Sequence, residues 1–159
     1  MSKIQKLNNR TLALGIKHLK KVDSNFKEIL RDRNDQINSF KKTGGFEGLI
    51  SLIVEQQLSV ASAKAIFSRV KLVCGDFEAS TFLQINEEEL KATGLSRQKV
   101  TYCRNVAEAV INKTLDFKKL EKMPDREVIE MLVKIKGIGE WTAQCYLMAC
   151  MKRLDAWPS

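Results

Sequence analysis

The stretch Ile135-Lys136-Gly137-Ile138-Gly139-Glu140 sets two glycines around one isoleucine and then enters an apolar segment. Glycine reaches positive φ at little cost and lets another backbone or a ligand come close. On the N-terminal side, Val128, Leu132 and Ile135 recur at i, i+4 and i+7, with Asp125 expected as the cap. On the C-terminal side, Glu140 to Met151 reads as a further, apolar helix. Residues 125–151 are therefore constrained to helix, tight turn, helix.

The rest of the chain agrees. Only two prolines occur, Pro124 and Pro158, and no alternating β-branched run is bounded by hairpin turns. Residues 10–33 suggest one or two amphipathic helices, the second capped by Asp23 or Ser24, before a break at Thr43 to Gly45. Leu49, Ile50, Ile53 and Val54 share a helical face that Gln56-Gln57 interrupts, and Ser59 suits the N-cap of a helix from Val60 to Val73. Two helices joined by a short tip follow from that pattern. Asn86 with Glu89 reads as a capping box, Gly94 as a stop, and Ser96 as the cap of a helix carrying Arg97, Lys99 and Arg104. The expected fold class is all-α. The expected organisation is N-terminal helices over residues 1–43 and one helix-hairpin-helix domain over 44–159.

Composition narrows the function classes. The chain has 159 residues, 44% of them hydrophobic, enough for one domain or two small lobes around a shared core. No apolar run is long enough to span a bilayer, and the first ten residues lack the apolar segment of a secretory signal. Cys74, Cys103, Cys145 and Cys150 have no zinc-type spacing and read as buried thiols of a cytoplasmic protein; the single histidine, His18, receives no role. A formal charge of +8 suggests a polyanionic partner, most simply nucleic acid.

The Gly-Ile-Gly turn can serve that partner. Backbone N–H groups exposed at a turn, placed at the positive end of the next helix, make an anion site, and Lys134 and Lys136 beside it would attract a phosphate. A plain αα-hairpin turn also favours glycine, so spacing leaves both readings open. Ile138 fits either, as a plug into the core.

The segment Leu132 to Ala143, "LVKIKGIGEWTA", resembles the helix-hairpin-helix motif of the HhH-GPD superfamily of DNA glycosylases. "FEGLISLIVEQQLSVASAKAIFSRV" and "ATGLSRQKVTYCRNVAEAVI" are similar to the matching segments of its bacterial DNA-3-methyladenine glycosylase II branch, so the likeness covers residues 44 to 159. The resemblance implies a monofunctional enzyme of base-excision repair. It would hydrolyse the N-glycosidic bond of an alkylated purine such as 3-methyladenine in double-stranded DNA, as a monomer associated with the bacterial nucleoid. It implies DNA phosphate contacts at Gly137, Ile138, Gly139 and Thr142, with Lys134 and Lys136.

Relatives that also cut the DNA backbone carry a nucleophilic lysine one residue after the "GIGE" element. This chain has Trp141, which cannot act as an amine nucleophile. The resemblance places Trp141 in the base pocket, where an indole face suits a cationic alkylated base. One helical turn on, where a better-known member has a pocket tyrosine, stands Cys145, a smaller wall. Gln56 and Gln57 fall at the tip that faces the minor groove, with Gln57 at the position that fills the gap left by a flipped nucleotide. From the residues alone, glutamines at such a tip equally suit solvent. No cofactor is expected, although the carbonyls of Ile135 and Gly137 are candidates for a monovalent cation.

The family's catalytic aspartate ends a segment of the type Asp-x-aromatic-Pro-x-x-Asp. Asp155, Trp157 and Pro158 match its opening, so Asp155 corresponds to the first, non-catalytic aspartate. The catalyst is expected about two positions beyond Ser159, which makes this chain a truncated glycosylase, inactive as it stands. The alternative is a non-catalytic helix-hairpin-helix DNA-binding module.

Overall fold

A computed structural model describes residues 5–32 and 42–158. Among them the regular structure is helical, apart from one antiparallel bridge between Lys6 and Arg153. In chain order the helices are α1 (Asn9–Val22), α2 (Ser24–Asp32), α3 (Gly45–Glu55), α4 (Val60–Cys74), α5 (Ala79–Gln84), α6 (Glu87–Ala92), α7 (Arg97–Ile111), α8 (Phe117–Leu120), α9 (Asp125–Leu132) and α10 (Glu140–Cys145). One π-helical turn, Tyr146–Cys150, continues α10. No helix among the described residues is long and apolar enough to cross a membrane.

The centre of the fold is α3. Phe46, Leu49, Ile50, Leu52, Ile53 and Val54 are all buried, so the helix is apolar all round and has to be enclosed. Helices α4, α7 and α10 and the π turn enclose it. Gly48 permits this at one point: a Cβ there would stand 1.9 Å from the carbonyl oxygen of Thr43. Phe46, Phe67, Phe77 and Phe82 form a ring cluster at its N-terminal end, with successive centroids 5.5 to 6.3 Å apart. The Gly45 N–H donates to the Tyr146 hydroxyl at 3.0 Å, which ties the start of α3 to the π turn.

Caps set the boundaries where their chemistry is local. Ser59 and Ser96 each accept from the N–H three residues on, at 3.2 Å, and start α4 and α7. Asp23 Oδ1 accepts from Asn25 N–H at 2.8 Å, so two helices rather than one occupy the first segment. Asn86 accepts from Glu89 N–H, but the return bond expected from Glu89 is absent; the reciprocal box forms at α1 instead, between Asn8 and Thr11. Asp125 is not a cap. Pro124 holds the N-cap position of α9, and the Asp125 carboxylate is turned to Arg153, 3.3 Å away.

The expected single helix over 140–151 also needs correction. After Cys145 the hydrogen bonds widen from i→i+4 to i→i+5, and Met151 N–H reaches Tyr146 O at 3.0 Å. Lys152 then takes φ +59, and buried Arg153 donates to the carbonyls of Leu120, Glu121 and Met123. Those bonds fix the chain where it leaves the hairpin.

Candidate nucleic-acid interface

Three elements meet at one open groove of about 620 Å³. The α3–α4 tip brings Gln56 and Gln57, the hairpin brings Gly137, Ile138, Gly139, Trp141 and Thr142, and the first turns of α7 bring Ser96, Gln98, Lys99 and Tyr102. The first two were expected to be functional. Sequence reasoning missed the α7 wall, although Lys99 and Tyr102 three residues apart on one helix face were its visible trace.

In the hairpin Gly137 takes φ +107, and a Cβ there would fall 2.2 Å from Tyr102 Cγ. Gly139 is different: its φ is −87 and a Cβ would meet nothing within 4 Å. The first glycine serves the turn and its packing; the second keeps the approach to the backbone clear. Ile138 is buried, as a plug into the core. The N–H groups of Gly139, Glu140 and Trp141 at the start of α10 find no acceptor among the described residues, and Gly139 and Trp141 line the groove. Glu140 is the one acid in that first turn.

Trp141 is 56% exposed, a large apolar surface left beside polar groups. Cys145, expected as its neighbour in a base pocket, is absent from the groove lining and sits 6% exposed in the core. Burial raises its thiol pKa, and the negative charge of Glu55 adds to the effect. One turn of helix carries a residue to the same face only approximately, and here α10 rolls Cys145 inward against α3.

Gln56 and Gln57 divide their work. Gln56 Nε2 donates to Gly137 O at 3.2 Å and to Thr142 Oγ1 at 3.1 Å, so its amide binds the tip to the hairpin. It is therefore not free to act as a wedge. Thr142, expected among the phosphate contacts, is 4% exposed and spends its hydroxyl on Gln56. Gln57 is exposed, with φ +55, a left-handed conformation uncommon for a residue with a side chain.

Lys134 and Lys136 do not line this groove. They border a second hollow of about 450 Å³ with Asn105, Glu108 and Asn112, behind the turn. The turn carries them off the face that holds Gly139, so any pull on a phosphate from them acts through space. The two carbonyls considered for a cation already accept hydrogen bonds: Ile135 O from Ile138 N–H, and Gly137 O from Gln56. Among the described residues no group of three or more His, Cys, Asp or Glu side chains could hold a metal ion. None of the groove-lining residues carries a carboxylate either, and Asp155 lies exposed in the turn after the bridge.

Comparison with known proteins extends this picture. Residues 50–156 match the family described as HhH-GPD superfamily base excision DNA repair protein. DNA-3-methyladenine glycosylase 1 of Schizosaccharomyces pombe is 33% identical over 148 residues, covering 89% of this chain and 65% of that protein. The structure of a DNA-3-methyladenine glycosidase from Bacillus halodurans superposes with a TM-score of 0.71 at 39% identity, over 76% of this chain and 57% of that one. An S. pombe 3-methyladenine DNA glycosylase in complex with abasic DNA superposes with a TM-score of 0.80 at 31% identity, over 90% and 72%. The chain thus spans just under two thirds of the length of the first of these relatives and less of the second.

Proposed function

The chain belongs to the HhH-GPD superfamily of base excision DNA repair proteins, and on that premise we propose that it is the recognition part of a monofunctional glycosylase for alkylated purines in duplex DNA. The observation that carries the reading is Trp141: a half-exposed indole at the groove rim, one residue after Glu140, where backbone-cutting relatives have a lysine. An indole face attracts a cationic methylated purine and offers no amine for a Schiff base. The named relatives, from a yeast and a bacterium, act on 3-methyladenine by their names, which favours the alkyl-base group without selecting its bacterial branch.

On this reading a DNA phosphate meets the clear backbone at Gly139 and the N–H groups that open α10. Gln57 fills the space a displaced nucleotide leaves, which offsets part of the few kcal/mol that extrusion costs. Trp141 stacks on the extruded base.

Bond cleavage develops positive charge on the sugar, and a nearby carboxylate stabilises it. Among the described residues the groove lining holds none; on this reading the carboxylate is the aspartate that closes the segment opened by Asp155, Trp157 and Pro158, and residues 1–159 alone would bind damaged DNA without releasing base. Release of methylated purine from alkylated duplex DNA tests this. No release by the 159-residue chain, with release by a form extended through the following aspartate, is expected. An extended form that binds but never releases base would leave the non-catalytic DNA-binding module as the better reading.

A further inference from the structure

Lys99 stands in the groove but its ammonium faces the protein. Nζ donates to Val54 O and to Gln56 O, each at 2.6 Å. These carbonyls lie at the C-terminal end of α3, where the helix dipole is negative and the acceptors lack intrahelical partners. Burial disfavours the charged form of Lys99 and lowers its pKa, and the two carbonyls offset part of that cost.

The same face of α7 also supports the hairpin. Tyr102, three residues on, is the ring against which Gly137 lies, and Asn105, three further, donates from Nδ2 to Lys136 O at 3.0 Å. Gln56 closes the circuit from tip to hairpin. Gln57, the next residue, is held at φ +55 between two carbonyl-anchored neighbours: Gln56 O is bound by Lys99, and Leu58 N–H returns to Glu55 O at 3.2 Å. A left-handed non-glycine residue persists only where its surroundings over-determine it.

We infer that Lys99 is a positioning residue: it fixes the α3–α4 tip so that Gln57 is preorganised to enter the duplex, and it makes no contact with DNA phosphate itself. The inference rests on the proposed glycosylase reading for what Gln57 does, and on the structure alone for what holds it.

The test compares Lys99→Met, which keeps the stem, and Lys99→Arg, which keeps the donors, with the wild-type chain. The probes are a duplex containing a tetrahydrofuran abasic site and the same duplex intact. Lys99→Met should lose about tenfold of its preference for the abasic duplex, the equivalent of one or two hydrogen bonds. The salt slope of its binding to intact DNA should stay unchanged, whereas loss of a phosphate-contacting lysine lowers that slope by about one. Lys99→Arg should recover most of the preference. Amide hydrogen exchange without DNA reads the tip directly, and the Leu58 N–H should lose protection in Lys99→Met.

A slope that falls by about one would overturn the inference in favour of a phosphate contact. Unchanged Leu58 protection would overturn it whatever the DNA result. A wild-type chain that shows no abasic preference would instead defeat the glycosylase reading, and the exchange result would still decide whether Lys99 holds the tip.

Discussion

A methyl group on Gly137 would stand 2.2 Å from Cγ of Tyr102 and 2.5 Å from its Cβ. The hairpin thus rests on α7 through a contact that admits no side chain. Gly137→Ala combines a left-handed alanine, costing about 1–2 kcal/mol, with overpacking of about 1–3 kcal/mol. Unfolding in denaturant should show a loss of about 3 kcal/mol. Tyr102→Ala should restore only a small part, because its Cβ remains in the way.

Gly139 answers differently to the same change. Its φ of −87 suits alanine and the space beside it is open, so Gly139→Ala should alter stability by less than about 1 kcal/mol. If a phosphate sits against this backbone, the added methyl holds it away. Affinity for duplex DNA should then fall about tenfold or more in a titration at fixed salt. Equal affinity of Gly139→Ala and wild type would remove the hairpin from the DNA interface.

These two glycines look alike in the sequence, and only the fold separates them. What was legible was local: Ser59, Ser96 and Asp23 cap because an oxygen and an N–H two or three residues away suffice. The all-α class and the helix, tight turn, helix order within 125–151 followed from apolar spacing, which burial of Val128 and Leu132 reproduces, although Ile135 lies past the end of α9 and is only half-buried. What was not legible depends on partners distant in the chain. Gln56 and Gln57 are the same residue type side by side, yet a hairpin 81 residues away claims the first. Cys145 turned inward and Lys134 turned aside because helix roll and turn angle leave no mark on composition. The short α5 and α8 passed unseen, since helices of six and four residues complete too few turns to show a period.

Arg153 supplies a stability prediction with its own control. Its side chain is 3% exposed, it serves the carbonyls of Leu120, Glu121 and Met123, and its Nε finds no partner. Arg153→Met would leave those carbonyls without their donor at a cost of about 2–4 kcal/mol. Asp125, the ion-pair partner, is 40% exposed, so water replaces the pairing and Asp125→Asn should cost less than about 1 kcal/mol. Thermal unfolding of both variants checks the ranking. A larger loss in Asp125→Asn would mean that the ion pair, not the carbonyl contacts, anchors the exit from the hairpin.

The buried thiols predict a one-sided pH dependence. Burial pushes both Cys103 and Cys150 up to about 12 from an ordinary value near 9.0. Their folded-state values are raised, so the folded chain keeps its thiol protons in a range where the unfolded chain gives them up. The associated stability is complete below pH 9 and drains away as pH rises toward 12. The slope of unfolding free energy against pH should therefore turn negative near pH 9. In Cys103→Ser, which lacks that thiol, it should be shallower. All four cysteines are buried and unpaired, so a thiol reagent at pH 8 should label the native chain slowly and the denatured chain at once. Rapid labelling of Cys145 in the native state would place that residue at an accessible wall beside Trp141 after all.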